Sequence, residues 1–235
     1  MQLSKKQERA YSLLKQSRVD VFRTKDLCLL LHLPSVDVYN LLKSLKSKKV
    51  IQKYGTFYAF SDVNELVIAT AVHFPSYLSF WTALGYYGWS DQLPRTVYLS
   101  TTKYAPLQGS FQYITLSKKR FFGYVSLGGV IIAEKEKAIL DSLLFPKYAR
   151  GIAEIQVCLV KALPSLNKAK LLQYALQMES KALLRRLGYL LEKLNVDKAW
   201  LNKLKKGMGK GYELLDPTLP RTNKYNKDWL LDVNV

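Results

Sequence analysis

The chain is poor in the residues that most reaction centres are built from. Its 235 residues include two cysteines, Cys28 and Cys158, and two histidines, His32 and His73. That arrangement does not supply the ligand set of a metal site. Nor does it allow a Ser/His/Asp or Cys/His catalytic arrangement. No metal, no cofactor and no catalytic centre are therefore expected, and the chain does not read as an enzyme. Each cysteine lies in an apolar run, "LCLLL" and "VCLV", the setting of a buried free thiol in a reducing compartment. The expected location is the cytoplasm. The stretch "MQLSKKQERAY" has no apolar segment of signal-peptide type. From Leu66 to Ser90 there is no charge, but "FPS" breaks this run into two short pieces. Two buried helices are expected there, with a membrane span as the alternative.

Acidic residues are scarce as well. There are 18 Asp and Glu against 36 Lys and Arg, a net charge of +18. Such an excess points to a polyanionic partner. It is unevenly placed: residues 1–60 carry +8, residues 61–160 carry +2 and residues 161–235 carry +8. With 49% hydrophobic and 23% charged residues the composition is globular, and the length suffices for two compact domains.

Within residues 1–60, "SKKQERAYSLLKQ" predicts a helix with Ser4 as N-cap. Thr24 is expected to cap a helix from Lys25 to Leu31. After the turn "LPS", Ser35 is expected to cap a second helix from Val36 to about Lys48. "VIQKYGTFYAF" reads as a hairpin with Gly55 at positive φ. This order predicts a winged helix-turn-helix. On the second helix Val38, Leu41, Leu42 and Leu45 share one arc and should be buried. Val36, Asn40, Lys43 and Ser47 fall opposite, flanked by Tyr39 and Ser44. Such a face can meet base edges: Asn40 can pair with adenine, Lys43 can reach guanine or phosphate, and Val36 can touch a thymine methyl. Ser35 stands at the start of this face. Lys46, Lys48, Lys49 and Lys53 can hold phosphates, which position a protein without reading sequence.

Residues 61–235 predict a larger mixed domain, making the whole chain α+β. "NELVIATAVHF" and "YLSFWTALGYYGW" read as helices, the second capped by Ser76. "RTVYLST", "SFQYITLS" and "FFGYVSLGGVIIA" read as strands, the last folding back at Gly128-Gly129. The chain should then be helical from about 134 to 204, with breaks at "LPS" and near Asn195. A flexible basic loop, "KLKKGMGKGYE", and a turn-rich tail ending in a short strand follow. "KKGMGKG" lacks phosphate-loop spacing and follows a helix. Glu179-Ser180-Lys181, the only acid-x-lysine triplet of nuclease type found, lies at a helix start.

Three stretches together resemble the AbiEi antitoxins of type IV, abortive-infection toxin–antitoxin systems. They are "SFWTALGYYGWSDQLPRTVYLSTTK", with Pro94-Arg95 entering a strand; "IIAEKEKAILDSLLFPKYARG"; and "LLRRLGYLLEKL" with the closing "LDP" and "WLLDVN". Glu136, Lys137, Ala138 and Asp141 match the family's Pro-Glu-Lys-Ala-Leu-Leu-Asp helix opening. Lys135 stands where the family usually has proline, which bears on how that helix starts. The resemblance implies a winged helix that binds operator DNA and represses its own operon. It also implies a C-terminal domain that counteracts a nucleotidyltransferase-type toxin. A stand-alone winged-helix regulator with a ligand-sensing or dimerising C-terminal domain is the other reading.

In "KALLRRLGYLLEKL" the leucines form one arc. Arg185 lies opposite it, and Arg186 and Lys193 at one rim. Arg185 can pack on Tyr189, four residues on. Gly188 predicts close packing by a neighbouring element. Arg185, Arg186, Tyr189 and Lys193 thus form either a solvated face or a docking face for the partner, and the resemblance favours docking.

Overall fold

A computed structural model describes residues 3–17, 19–92, 95–107 and 109–235. The N-terminal part, the head, runs α1 (Lys5–Gln16), β1 (Val21–Arg23), α2 (Thr24–Leu31), α3 (Ser35–Ser47), β2 (Ile51–Tyr54) and β3 (Phe57–Phe60). Ser4 caps α1 in a reciprocal pair with Gln7: the Ser4 amide donates to Gln7 Oε1 at 2.9 Å and the Gln7 amide to Ser4 Oγ at 3.4 Å. Two other cap assignments move by one residue. Thr24 is the first residue of α2, and the amide of Arg23 before it donates to the Asp26 carboxylate at 2.7 Å. Ser35 is the first residue of α3, because Pro34 already holds the extended cap conformation with φ −60° and ψ 151°. Gly55 turns the β2–β3 hairpin at φ +60°.

The head's sheet has the order β1-β3-β2, all antiparallel. Its strands alternate between two cores. Phe22, Ile51, Tyr58 and Phe60 pack with Leu27, Val38, Leu41, Leu42 and Leu45 of the helices above. Val21, Tyr54, Phe57 and Ala59 point the other way and join the larger core of the body. The period of two along a strand produces this division. The Tyr54 ring stacks on Phe111, with centroids 5.5 Å apart and planes 12° apart. Val63 packs against both cores.

The body begins with α4 (Glu65–Val72), β4 (Ser76–Leu78) and α5 (Phe80–Tyr86). The charge-free stretch is therefore helix, strand, helix. Ser76 opens a strand, and Ser79 stands at the N-cap of α5. No helix among the described residues is long and apolar enough to cross a membrane. β5 (Val97–Thr101), β6 (Phe111–Thr115), β7 (Tyr124–Leu127) and β8 (Val130–Ala133) complete a mixed five-stranded sheet, order β6-β5-β4-β8-β7. Pro94 lies outside the described residues. Helices α6 (Lys135–Leu144), α7 (Gly151–Ala162), α8 (Lys168–Gln177), α9 (Lys181–Lys193) and α10 (Lys198–Gly207) follow. A small sheet of β9 (Glu213–Leu214), β10 (Tyr225–Asn226) and β11 (Leu231–Asp232), order β10-β11-β9, closes the chain. The fold is α+β.

Candidate nucleic-acid interface

Helix α3 buries Val38, Leu41, Leu42 and Leu45 against the head's core. Its opposite side is open. Ser35, Val36, Tyr39, Asn40, Lys43, Lys46 and Ser47 are exposed, and the apolar Val36 and Tyr39 are 69% and 57% exposed. An aliphatic and an aromatic side chain thus stand open beside an amide and a row of lysines. Ser44 departs from the expectation. It is half-buried, and its hydroxyl accepts from Gln7 Nε2 at 2.7 Å, so it pins α3 to α1. The Ser47 hydroxyl donates to the Ser44 carbonyl at 2.8 Å, leaving its lone pairs outward.

A groove lies at each end of this face. One, between the end of α3 and the hairpin, is lined by Lys46, Lys49, Lys53, Gln52 and Ser61. Lys53 points to the α3 side because Tyr54, one residue on, points to the body. The other is lined by Lys5, Lys6 and Arg9 of α1 with Leu31 and Leu33. Sequence reasoning missed these three. Their signal was present, as one helical edge of α1, but its orientation depends on how α1 packs on α3. Lys6 also stands 3.9 Å from Asp37, an exposed pair that offsets the one carboxylate on this side of the helix.

The four expected partner-surface residues do not share a face. Arg185 and Arg186 are buried, 1% and 5% exposed. Arg185 donates from Nε to the Met208 carbonyl at 3.0 Å and from Nη2 to the Lys210 carbonyl at 2.9 Å. This ties down the loop that was expected to be flexible. Arg186 donates to the carbonyls of Leu143, Leu214 and Leu215, at 3.0 Å to the first and last. Neither arginine offers a docking surface. Tyr189 is half-buried and Lys193 exposed, with its Nζ 5.6 Å from the Tyr189 ring. Lys193 therefore takes the ring that Arg185 was expected to cover. Gly188 meets its expectation: a Cβ there would come within 1.9 Å of the buried Trp229 ring.

The residues of the "EKEKAILD" stretch also turn inward. Lys137 and Asp141 form an ion pair, both fully buried. Asp141 Oδ2 accepts from Ser79 Oγ at 2.7 Å and Tyr77 Oη at 3.0 Å. The cluster fastens α6 to β4 and to the start of α5. Burial pulls the Lys137 ammonium below its ordinary range against the pull of Asp141, and burial and Asp141 push the Tyr77 phenol well up. Glu136 accepts from the Asn167 amide at 2.7 Å, and Glu134 from Lys170 Nζ at 2.7 Å and Tyr174 Oη at 2.6 Å. These acids and bases anchor α8 to α6. Glu179 is exposed and pairs with Lys119. Cys158 is buried, while Cys28 is only half-buried. Among the described residues there is no group of three or more His, Cys, Asp and Glu placed to hold a metal ion.

No protein-family model matches the chain, and no curated protein matches it. Among solved structures, the fold is similar to the crystal structure of the RV2827C protein from Mycobacterium tuberculosis. The TM-score is 0.73 at 13% sequence identity, covering 98% of this chain and 92% of the other. The likeness spans head and body alike and concerns the fold.

Proposed function

We propose that the chain is a DNA-binding antitoxin of the type IV, abortive-infection kind. Its head acts as a winged helix-turn-helix that binds operator DNA and represses its own operon, and its body counteracts a nucleotidyltransferase-type toxin. The observation that carries the DNA reading is the open face of α3, with Val36, Asn40 and Lys43 exposed between two lysine- and arginine-lined grooves. Helix α3 enters the major groove with Asn40 and Lys43 on base edges. Lys46, Lys49 and Lys53 meet phosphates on one side, and Lys5, Lys6 and Arg9 meet them on the other. The resemblance of the three quoted stretches supports the antitoxin role. The test is growth of cells induced for the neighbouring gene, with and without this chain, beside repression of a promoter reporter. The proposal expects the neighbour to stop growth and the full chain to restore it. Asn40→Ala with Lys43→Ala should abolish repression and leave rescue intact. A harmless neighbour, with repression retained by the native chain, would reduce the reading to a stand-alone regulator.

A further inference from the structure

The C-terminal tail builds a second cationic feature, remote in sequence from α3 and of different make. Residues 198–235 hold eight basic and four acidic residues, and two of the acidic ones, Asp216 and Asp232, are buried. A small open cleft of about 150 Å³ lies over the small sheet. Its walls include Tyr212, Glu213, Arg221 and Tyr225, with Arg186 and Asp232 in its lining. Tyr212 and Tyr225 are about half exposed, at 47% and 50%. Their rings meet edge to face, 4.8 Å between centroids and 63° between planes.

The lining sets Arg186 and Arg221 beside Glu213 and Asp232, and Lys210, Lys224 and Lys227 each stand within two residues of one of the rings. Arg221 forms no hydrogen bond or ion pair with any described residue, and Lys210, Lys224 and Lys227 are likewise without a carboxylate partner. Arg186 lies in the lining, buried, with its guanidinium held by three backbone carbonyls and its charge felt by Glu213 and Asp216. Asp232 is held from above by Thr222 Oγ1 at 3.0 Å and the amide of Asn223 at 3.2 Å, which hold its carboxyl low despite burial. Glu213 is the exposed acceptor at the rim. Flat rings for stacking, cations for phosphate and one acceptor for an amino or hydroxyl group are what an unpaired nucleotide needs.

We propose that this cleft binds an unpaired nucleotide of a single-stranded nucleic acid, the base stacked on the Tyr212–Tyr225 pair and its phosphates on Arg221 and the flanking lysines. The site is separate from α3 and does not depend on the operator reading. The probes are a fluorescein-labelled ten-residue oligouridine and the matching oligothymidine, titrated with the full chain and read by anisotropy. Tyr212→Ala with Tyr225→Ala should weaken binding about tenfold or more, the usual cost of removing a stacking ring. Tyr212→Phe with Tyr225→Phe keeps the rings and should restore it, which guards against a folding defect. Arg221→Ala should lower the dependence of affinity on salt. Tighter binding of uridine than of thymidine oligomers would assign Glu213 to the ribose hydroxyl, and equal binding would assign the site to base and phosphate alone. Unchanged affinity in the double Ala variant, or no binding of either oligomer by the native chain, overturns the proposal.

Discussion

The two ends of the chain carry the same net charge, +8 over residues 1–60 and +8 over residues 161–235, and place part of it differently. In the head, Lys43, Lys46, Lys49 and Lys53 stand outside and touch little. In the C-terminal part, the two arginines of α9 have gone inside and hold backbone carbonyls together. The chemistry of the two residue types suits the split. A guanidinium offers five donors in a planar fork and can satisfy several carbonyls at once, whereas a lysine that goes inside, as Lys137 does, needs a carboxylate beside it. Charge counted along a sequence therefore says where a polyanion can be met only after the buried arginines are set aside.

The comparison can be broken most sharply from the C-terminal side. Arg186→Ala leaves the buried carbonyls of Leu143, Leu214 and Leu215 without that donor, and should cost about 3 kcal/mol or more of folding stability by chemical denaturation. Operator affinity of the molecules that remain folded should not change. Gly188→Ala gains about 1 kcal/mol of helix propensity but forces its methyl into Trp229. That indole is fully buried and its Nε1 donates to Glu192 at 2.9 Å, so it has nowhere to go. Overpacking should win and lower the thermal midpoint.

From the head side, Asn40→Ala with Lys43→Ala should weaken operator binding by about 1–3 kcal/mol per lost base contact while the midpoint stays put, both residues being exposed. Single Lys46→Ala, Lys49→Ala and Lys53→Ala changes should each reduce the slope of log affinity against log salt by about one, for any duplex sequence.

A pH titration sharpens the contrast further. Burial pushes the Cys158 thiol and the Tyr87 phenol up to about 12, and both groups are in the body. Their stability contribution is complete below the unfolded values near 9 and 10 and is lost as pH rises toward 12. The thermal midpoint should fall across that window, less steeply in Cys158→Ala relative to its own value at pH 8. The smallest effect is expected at Lys193→Ala, within about 0.5 kcal/mol of native stability, since its side chain only rests on Tyr189 at the surface.

The sequence was most legible where one contact decides one face. The phase of α3 follows from four apolar positions, and the hairpin from Gly55 between two aromatic runs. Legibility failed where distant segments supply the second face. A helical wheel sets Arg185 opposite the leucines and so predicts an open face, solvated or docking, but the loop after α10 covers that side. β1 and β4 have three residues each, too short to show a period, and exist because β3 and β5 pair with them. Ser76 looked like a cap because the partner that makes it a strand lies 25 residues on, at Thr101. In the candidate interface, Asn40 and Lys43 could be read from the wheel. The half-burial of Ser44 could not, since it comes from Gln7 of another helix.

The sheet of the head has one consequence for anyone who would take this protein apart. Its back, with Val21, Tyr54, Phe57 and Ala59, is the roof of the larger core, and Tyr54 lies flat on Phe111. A cut after residue 60 would strip an apolar lining from both fragments at once and leave each sticky. The molecule has two cores but one shared wall, so its roles are best separated by single side chains, with scissors left in the drawer.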